Sequence, residues 1–327
     1  MYFSYTDPSV RLTGRWDIRT PEAAITTNPG AYFEIAFTGK ILQLVFNLEH
    51  NEYPLPHLYL ELDGGARFET SLDRRLRVIA ESGGEHRLRV IYKSSTEALS
   101  RWRMPIHNAL SFCGYDAEGA GALPPDNRKT IEFVGDSITE GVLVDCDYCK
   151  APAADIDEHN RPFQDDATAT YAWLTAERLN LRPVICGFGA VGLTRPGKGR
   201  VPACPISYPF NYEGSPISFK PCDIVVLNHG ANDRAHSCEE YLAKYEETLL
   251  LLRHHNPDAL IVSLSAFCGA FREPLAAFIP EFNKKHNERI AFIDTAGWIP
   301  LEPLHPLRPA SIHLAALLSS ELEKLIK

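Results

Sequence analysis

The sequence predicts two domains of different class, an α/β domain built on a parallel sheet and, before it, an all-β sandwich. Three observations predict this. From Thr130 onward, short apolar runs of strand length alternate with helical periodicity. The first third instead shows strand-like runs with no helical spacing between them. A Gly-, Pro- and Ala-rich stretch, YDAEGAGALPPDNRK, separates the two regimes. The resulting boundaries are a sandwich over 1–115, a linker over 116–129 and the α/β domain over 130–327.

In the first domain, YFEIAFTG and KILQLVFNL read as strands split at Gly39-Lys40. HLYLELDGGARFET follows, with Asp63-Gly64-Gly65 as a hairpin turn. HRLRVIYKSS alternates, with Leu88, Val90 and Tyr92 on one face and Arg87, Arg89 and Ile91 on the other. In the second domain the buried strands read as IEFV, PVIC, DIVVLN, ALIVSL and IAFID. CEEYLAKYEETLLLLRHH is helical, with Leu242, Tyr245, Leu249 and Leu252 spaced for one face, and ASIHLAALLSSELEKLI closes the chain as another helix.

The bulk numbers exclude some function classes. The 327 residues carry 33 Lys and Arg against 42 Asp and Glu, a net charge of −9, and no basic block stands out. Nucleic-acid binding is therefore not expected, because it needs a surface that neutralises phosphates. No apolar run approaches the roughly 18 residues of a membrane span, so no membrane partner is expected either. The N-terminus lacks a basic segment followed by a long apolar stretch, so the expectation is a cytoplasmic protein whose eight cysteines are reduced thiols.

In a parallel sheet, sites form beyond the carboxyl ends of the strands. After the first strand stands Gly135-Asp136-Ser137; after the second, GFGAVG (187–192); after DIVVLN, HGAND (229–233). Before the last helix comes LEPLHP, with Glu302, His305 and Pro306. Each piece alone has an ordinary structural use: Asp and Ser cap helices, Asn occupies turns, and a lone glycine-rich loop is weak evidence of a dinucleotide site. Together they supply a hydroxyl, a base, a carboxylate to orient the base and donors for an oxyanion, which are the parts of an acyl-transfer site.

These blocks, GDSI (135–138), the glycine block, GAND (230–233) and the late E-x-x-H-P (302–306), resemble the SGNH, or GDSL, hydrolases in their usual order. The resemblance covers 130–327 and implies a flavodoxin-like three-layer fold. It is distinct from the nucleophile-elbow hydrolases, since G-D-S-I-T fails G-x-S-x-G. Carried over by position, it makes Ser137 the nucleophile and His305 the general base. Its oxyanion donors are the Ser137 N–H, the Asn232 side-chain amide and a glycine N–H, Gly192 by the family's spacing with Gly189 as the second choice. The family usually has Asp three residues before the histidine, where this chain has Glu302; some relatives use a backbone carbonyl instead. No cofactor or metal is expected.

The domain order resembles carbohydrate esterase family two, in which a jelly-roll precedes the catalytic domain; GEHRLRVIYKSSTEA and FCGYD (112–116) resemble its final jelly-roll strands. That resemblance implies a serine esterase removing O-acetyl groups from sugars, with an oligosaccharide or small-molecule substrate. The alternatives are a lipase- or thioesterase-like hydrolase of other acyl groups and a carbohydrate-binding protein with a vestigial site. Trp298 and the aromatics of SYPFNYEG (207–214) are candidates for sugar contacts, with packing as their other reading. Asp136 and Asp233 are expected to brace their loops, and His313 to pack on a helix face. Cys146 and Cys149 form a lone C-x-x-C; Cys204, Cys222 or His159 could complete a zinc set, but no second C-x-x-C exists.

Overall fold

A computed structural model of the protein describes residues 1–146, 161–217 and 220–326. The first domain is a sandwich of two antiparallel sheets. One contains β1 (Tyr2–Ser4), β3 (Ala24–Thr26), β5 (Ile41–Phe46), β8 (Arg75–Ile79) and β10 (Leu110–Asp116). The other contains β2 (Val10–Thr13), β4 (Tyr32–Thr38), β6 (His57–Leu62), β7 (Phe68–Ser71), β9 (Glu85–Ser94) and β11 (Gly119–Ala120). The consecutive strands β4 and β5 enter opposite sheets, turning at Gly39, whose φ of 103° favours glycine. Phe33 and Phe112 stack across the core with ring centroids 3.9 Å apart. The Asp63-Gly64 turn joins β6 to β7 with both residues at positive φ.

The sandwich reaches further than 115. Asp116 belongs to β10, and β11 pairs with β4, so the linker begins only after Ala120. Small residues permit this edge pairing: a side chain at Gly119 would strike the Thr38 hydroxyl.

The second domain is a five-stranded parallel sheet in the order β13 (Arg182–Gly187), β12 (Thr130–Gly135), β16 (Ile224–Asn228), β17 (Leu260–Leu264), β18 (Ala291–Ile293). This is the flavodoxin-like order, whose switch point falls beside its first strand, β12. β14 (Phe210–Tyr212) and β15 (Ser215–Pro216) form a separate hairpin. Two short helices, α1 (Ser137–Glu140) and α2 (Arg161–Gln164), follow β12, and α4 (Cys204–Ser207) follows β13. Of the longer helices, α3 (Tyr171–Arg178) and α7 (Arg308–Leu325) cover one face of the sheet. The other face is covered by α5 (Cys238–His255) and α6 (Arg272–His286). No described helix is long and apolar enough to cross a membrane.

The two domains share packing. Tyr32 and Ile91, on the outer face of the β4–β9 sheet, join the apolar cluster of Trp173, Phe133 and Leu318 in the second domain. Arg15 of the sandwich donates to Glu132 of β12 from Nε at 3.0 Å and Nη2 at 2.8 Å, both side chains fully buried. The Tyr208 hydroxyl donates to the second Glu132 oxygen at 2.7 Å, so the carboxylate is satisfied on both sides.

Candidate active site

Asp136 is the N-cap of α1, its carboxylate accepting the Ile138 N–H at 3.0 Å, and this sets Ser137 at the first helical position. The cap therefore serves to present the serine at the carboxyl edge of the sheet. His305 arrives on the loop between β18 and α7, with its Nε2 2.9 Å from Ser137 Oγ, where the hydroxyl can donate to the ring. Ser137 is buried, and His305 is largely so; desolvation holds its imidazole below the ordinary value of 6.5, opposed by the charge of Glu97 and reinforced by those of Arg161 and Lys198.

Asn232 comes from the loop after β16. Its Nδ2 donates to Val191 O at 3.0 Å and to Asp136 Oδ2 at 3.3 Å, which joins the GAND loop, the glycine loop and the cap of α1. Burial and the nearby Asp233 push the Asp136 carboxyl up to about 7. Asp233 accepts from the Thr194 N–H at 2.8 Å and the Thr194 hydroxyl at 2.6 Å. The two aspartates thus brace the turns, as expected, although Asp233 grips the glycine loop more than its own.

Two predicted roles need correction. The Gly192 N–H donates to Arg195 O at 3.1 Å, so the loop's own turn consumes it. The Gly189 and Ser137 N–H groups have no partner among the described residues, which leaves both available to an oxyanion. Glu302 is exposed and makes no hydrogen bond to His305 among the described residues. Its carboxylate keeps its hydration on the loop surface, where moving it against a buried imidazole would carry a desolvation cost.

The remaining candidates also resolve. Tyr208 and Tyr212 are buried at the domain junction and Phe210 packs edge-on against Trp102, so this segment is structural. Trp298 is partly buried against the α3–α7 side of the core. His313 is exposed rather than packed. Cys146 is buried with Val142 and Leu143, and Cys204 and Cys222 lie in the core on the α5–α6 side; Cys149 and His159 lie outside the described residues.

Sequence reasoning missed five residues that the tertiary structure brings in. All five belong to an ionic cluster at the domain boundary. Arg101, on the segment between β9 and β10, forms a buried ion pair with Glu140 of α1, the helix that begins at Ser137. Glu97, on the same segment, meets Arg161 at 3.2 Å and Lys198 at 3.0 Å. Both Glu97 and Arg101 belong to the sandwich in sequence, so no periodicity or strand-end rule could direct them to a site in the other domain.

No curated protein matches this sequence. Among solved structures, a family two carbohydrate esterase from Cellvibrio japonicus is similar at a TM-score of 0.80 and 20% identity, over 99% of this chain and 97% of that one. A family two carbohydrate esterase from Clostridium thermocellum, solved with cellohexaose, is similar at 0.75 and 21%, over 97% and 99%. An acetyl xylan esterase from the rumen bacterium Butyrivibrio proteoclasticus is similar at 0.77 and 18%, over 100% and 98%. The shared two-domain architecture therefore extends over the whole chain. Residues 133–317, which span Ser137, Asn232 and His305, match the family model of the GDSL-like lipases and acylhydrolases, and the chain belongs to that family.

Proposed function

We propose that this protein is a serine esterase that removes O-acetyl groups from carbohydrates, with oligosaccharides as its substrate class. The observation that carries the reading is the 2.9 Å contact between Ser137 Oγ and His305 Nε2. It lies at the carboxyl edge of the sheet, in a chain similar throughout to carbohydrate esterases.

In the proposed reaction His305 takes the Ser137 proton as Oγ attacks the acetyl carbonyl. Negative charge then develops on the carbonyl oxygen, stabilised by the Ser137 and Gly189 N–H groups and the Asn232 amide. Collapse expels the sugar alkoxide, which takes its proton from His305. Water, deprotonated by the same histidine, attacks the acetyl-serine and releases acetate.

The test is acetate release from acetylated xylo- and manno-oligosaccharides, with aryl esters of increasing chain length in parallel. The expected outcome is release by the wild type, none by Ser137→Ala, and aryl-ester rates that fall from acetyl to butyryl. Undiminished release by Ser137→Ala sinks the mechanism. Rates that rise beyond butyryl favour a lipase- or thioesterase-like hydrolase instead.

A further inference from the structure

The segment between β9 and β10 leaves the sandwich to meet the second domain before returning to β10, and near its start it lies against the glycine loop. There the Glu97 carboxyl lies directly on Gly189, so closely that any side chain at 189 would overlap it. Glu97 Oε1 meets Lys198 Nζ at 3.0 Å, and the Lys198 N–H in turn holds Gly189 O at 3.0 Å. Arg161, which also pairs with Asp165, approaches the same Glu97 oxygen at 3.2 Å. Next to Gly189, Ala190 is held at a φ of 59°, a conformation that a non-glycine residue keeps only when its surroundings enforce it. One residue further on, Val191 O accepts from the Asn232 amide.

We propose that Glu97, supplied by the sandwich domain, is a positioning residue for the acyl-transfer site. In that role it braces the Gly189–Val191 turn and holds a buried negative charge against the positive charge that develops on His305. This rests on the serine-esterase reading above. Glu302, the acid on His305's own loop, is exposed, so a carboxylate from the other domain takes over part of its electrostatic role. The charged groups acting on His305 are Glu97 from the β9–β10 segment, Arg161 from α2 and Lys198 from the loop after β13. Removing the Glu97 charge leaves Arg161 and Lys198 opposed to the imidazolium, which disfavours it.

The experiment measures kcat, KM and the pH dependence of kcat/KM on an aryl acetate for the wild type, Glu97→Gln, Glu97→Asp and Lys198→Met. Thermal unfolding of each variant is followed in parallel. Glu97→Gln is expected to lower kcat about 10- to 100-fold, as a displaced catalytic geometry does, with KM little changed. Its acid limb should move to lower pH. Lys198→Met, at a half-exposed position, should move that limb the opposite way. Glu97→Asp keeps the charge but withdraws it from Gly189, so it should lose turnover while holding the limb nearer its wild-type place. A folded Glu97→Gln with wild-type kcat and an unmoved limb overturns the proposal. If Glu97→Gln does not fold, an unmoved limb in Lys198→Met overturns it. Failure of the esterase reading is separate: it shows as a wild type with no ester hydrolysis, or as activity that survives Ser137→Ala.

Discussion

His305 lies largely out of water, and burial holds its imidazole below 6.5 although Glu97 pulls the other way. In the proposed mechanism His305 is the general base and works in its neutral form, so activity is expected to fall as pH drops through the histidine's own value. With that value lowered, the half-maximal point of kcat/KM on the acid side is expected below pH 6.5, read from a pH–rate profile on an aryl acetate. Asn232 makes a second residue-scale prediction. Its amide donates to both Val191 O and Asp136 Oδ2, so it is held in place before substrate arrives, and serving an oxyanion requires it to release the longer bond, to Asp136 at 3.3 Å. Asn232→Ala is expected to reduce kcat by about 100- to 1,000-fold with a much smaller change in KM, measured by steady-state kinetics. Ser137, Asn232 and His305 were legible as residues because each stands just past a strand or just before the last helix. The choice of Gly189 over Gly192 was not legible, since it turns on which N–H the folded loop consumes at Arg195 O.

Among the elements, α5 shows how local chemistry sets a boundary. The Ser237 hydroxyl accepts the Glu240 N–H at 3.1 Å, acidic residues fill the first turn, and Arg253, His254 and His255 fill the last. Ser237→Ala is expected to cost about 1 kcal/mol of stability in denaturant unfolding, with kcat/KM little changed because the Ser237 hydroxyl bonds the first turn of α5 and no site residue. The helix read from the sequence coincides with the observed Cys238–His255, because Tyr245, Leu249 and Leu252 return to the buried face. By contrast, α6 encloses Pro280 and its N-cap, Phe271, makes no side-chain bond, so its start is poorly marked in the local sequence. Glu132 is an intermediate case. The strand IEFV was readable around it, but a fully buried carboxylate there makes sense only with Arg15 and the Tyr208 hydroxyl in place.

At the scale of the whole molecule, the junction makes the sandwich part of the hydrolase. Arg15 reaches Glu132, Arg101 reaches Glu140, and Tyr32 and Ile91 complete an apolar cluster of the second domain. Breaking a buried pair from one side strands the other charge in the interior. Arg15→Ala is therefore expected to destabilise the protein by about 3–5 kcal/mol, measured by denaturant unfolding. Glu132→Gln in the same background should recover part of that loss by removing the stranded charge. If Arg15→Ala unfolds like the wild type, the junction contributes little and the domains are independent.

By itself, the sequence determined the two domain classes and the parallel order of strand and helix, and it pointed to Ser137, Asn232 and His305 as candidates at one edge of the sheet. Those features rest on local periodicity and on the topological rule that gathers strand ends at one edge. The tertiary structure alone decided which glycine N–H stays free of the loop, the exposure of Glu302, the extension of the sandwich to Ala120 and the arrival of Glu97 and Arg101 beside the site. The β11 pairing and the arrival of Glu97 and Arg101 depend on contacts between groups far apart in the chain, and the glycine choice on a turn bond from Gly192 N–H to Arg195 O; hydrogen-bond competition and desolvation settle these, and no sequence pattern encodes them.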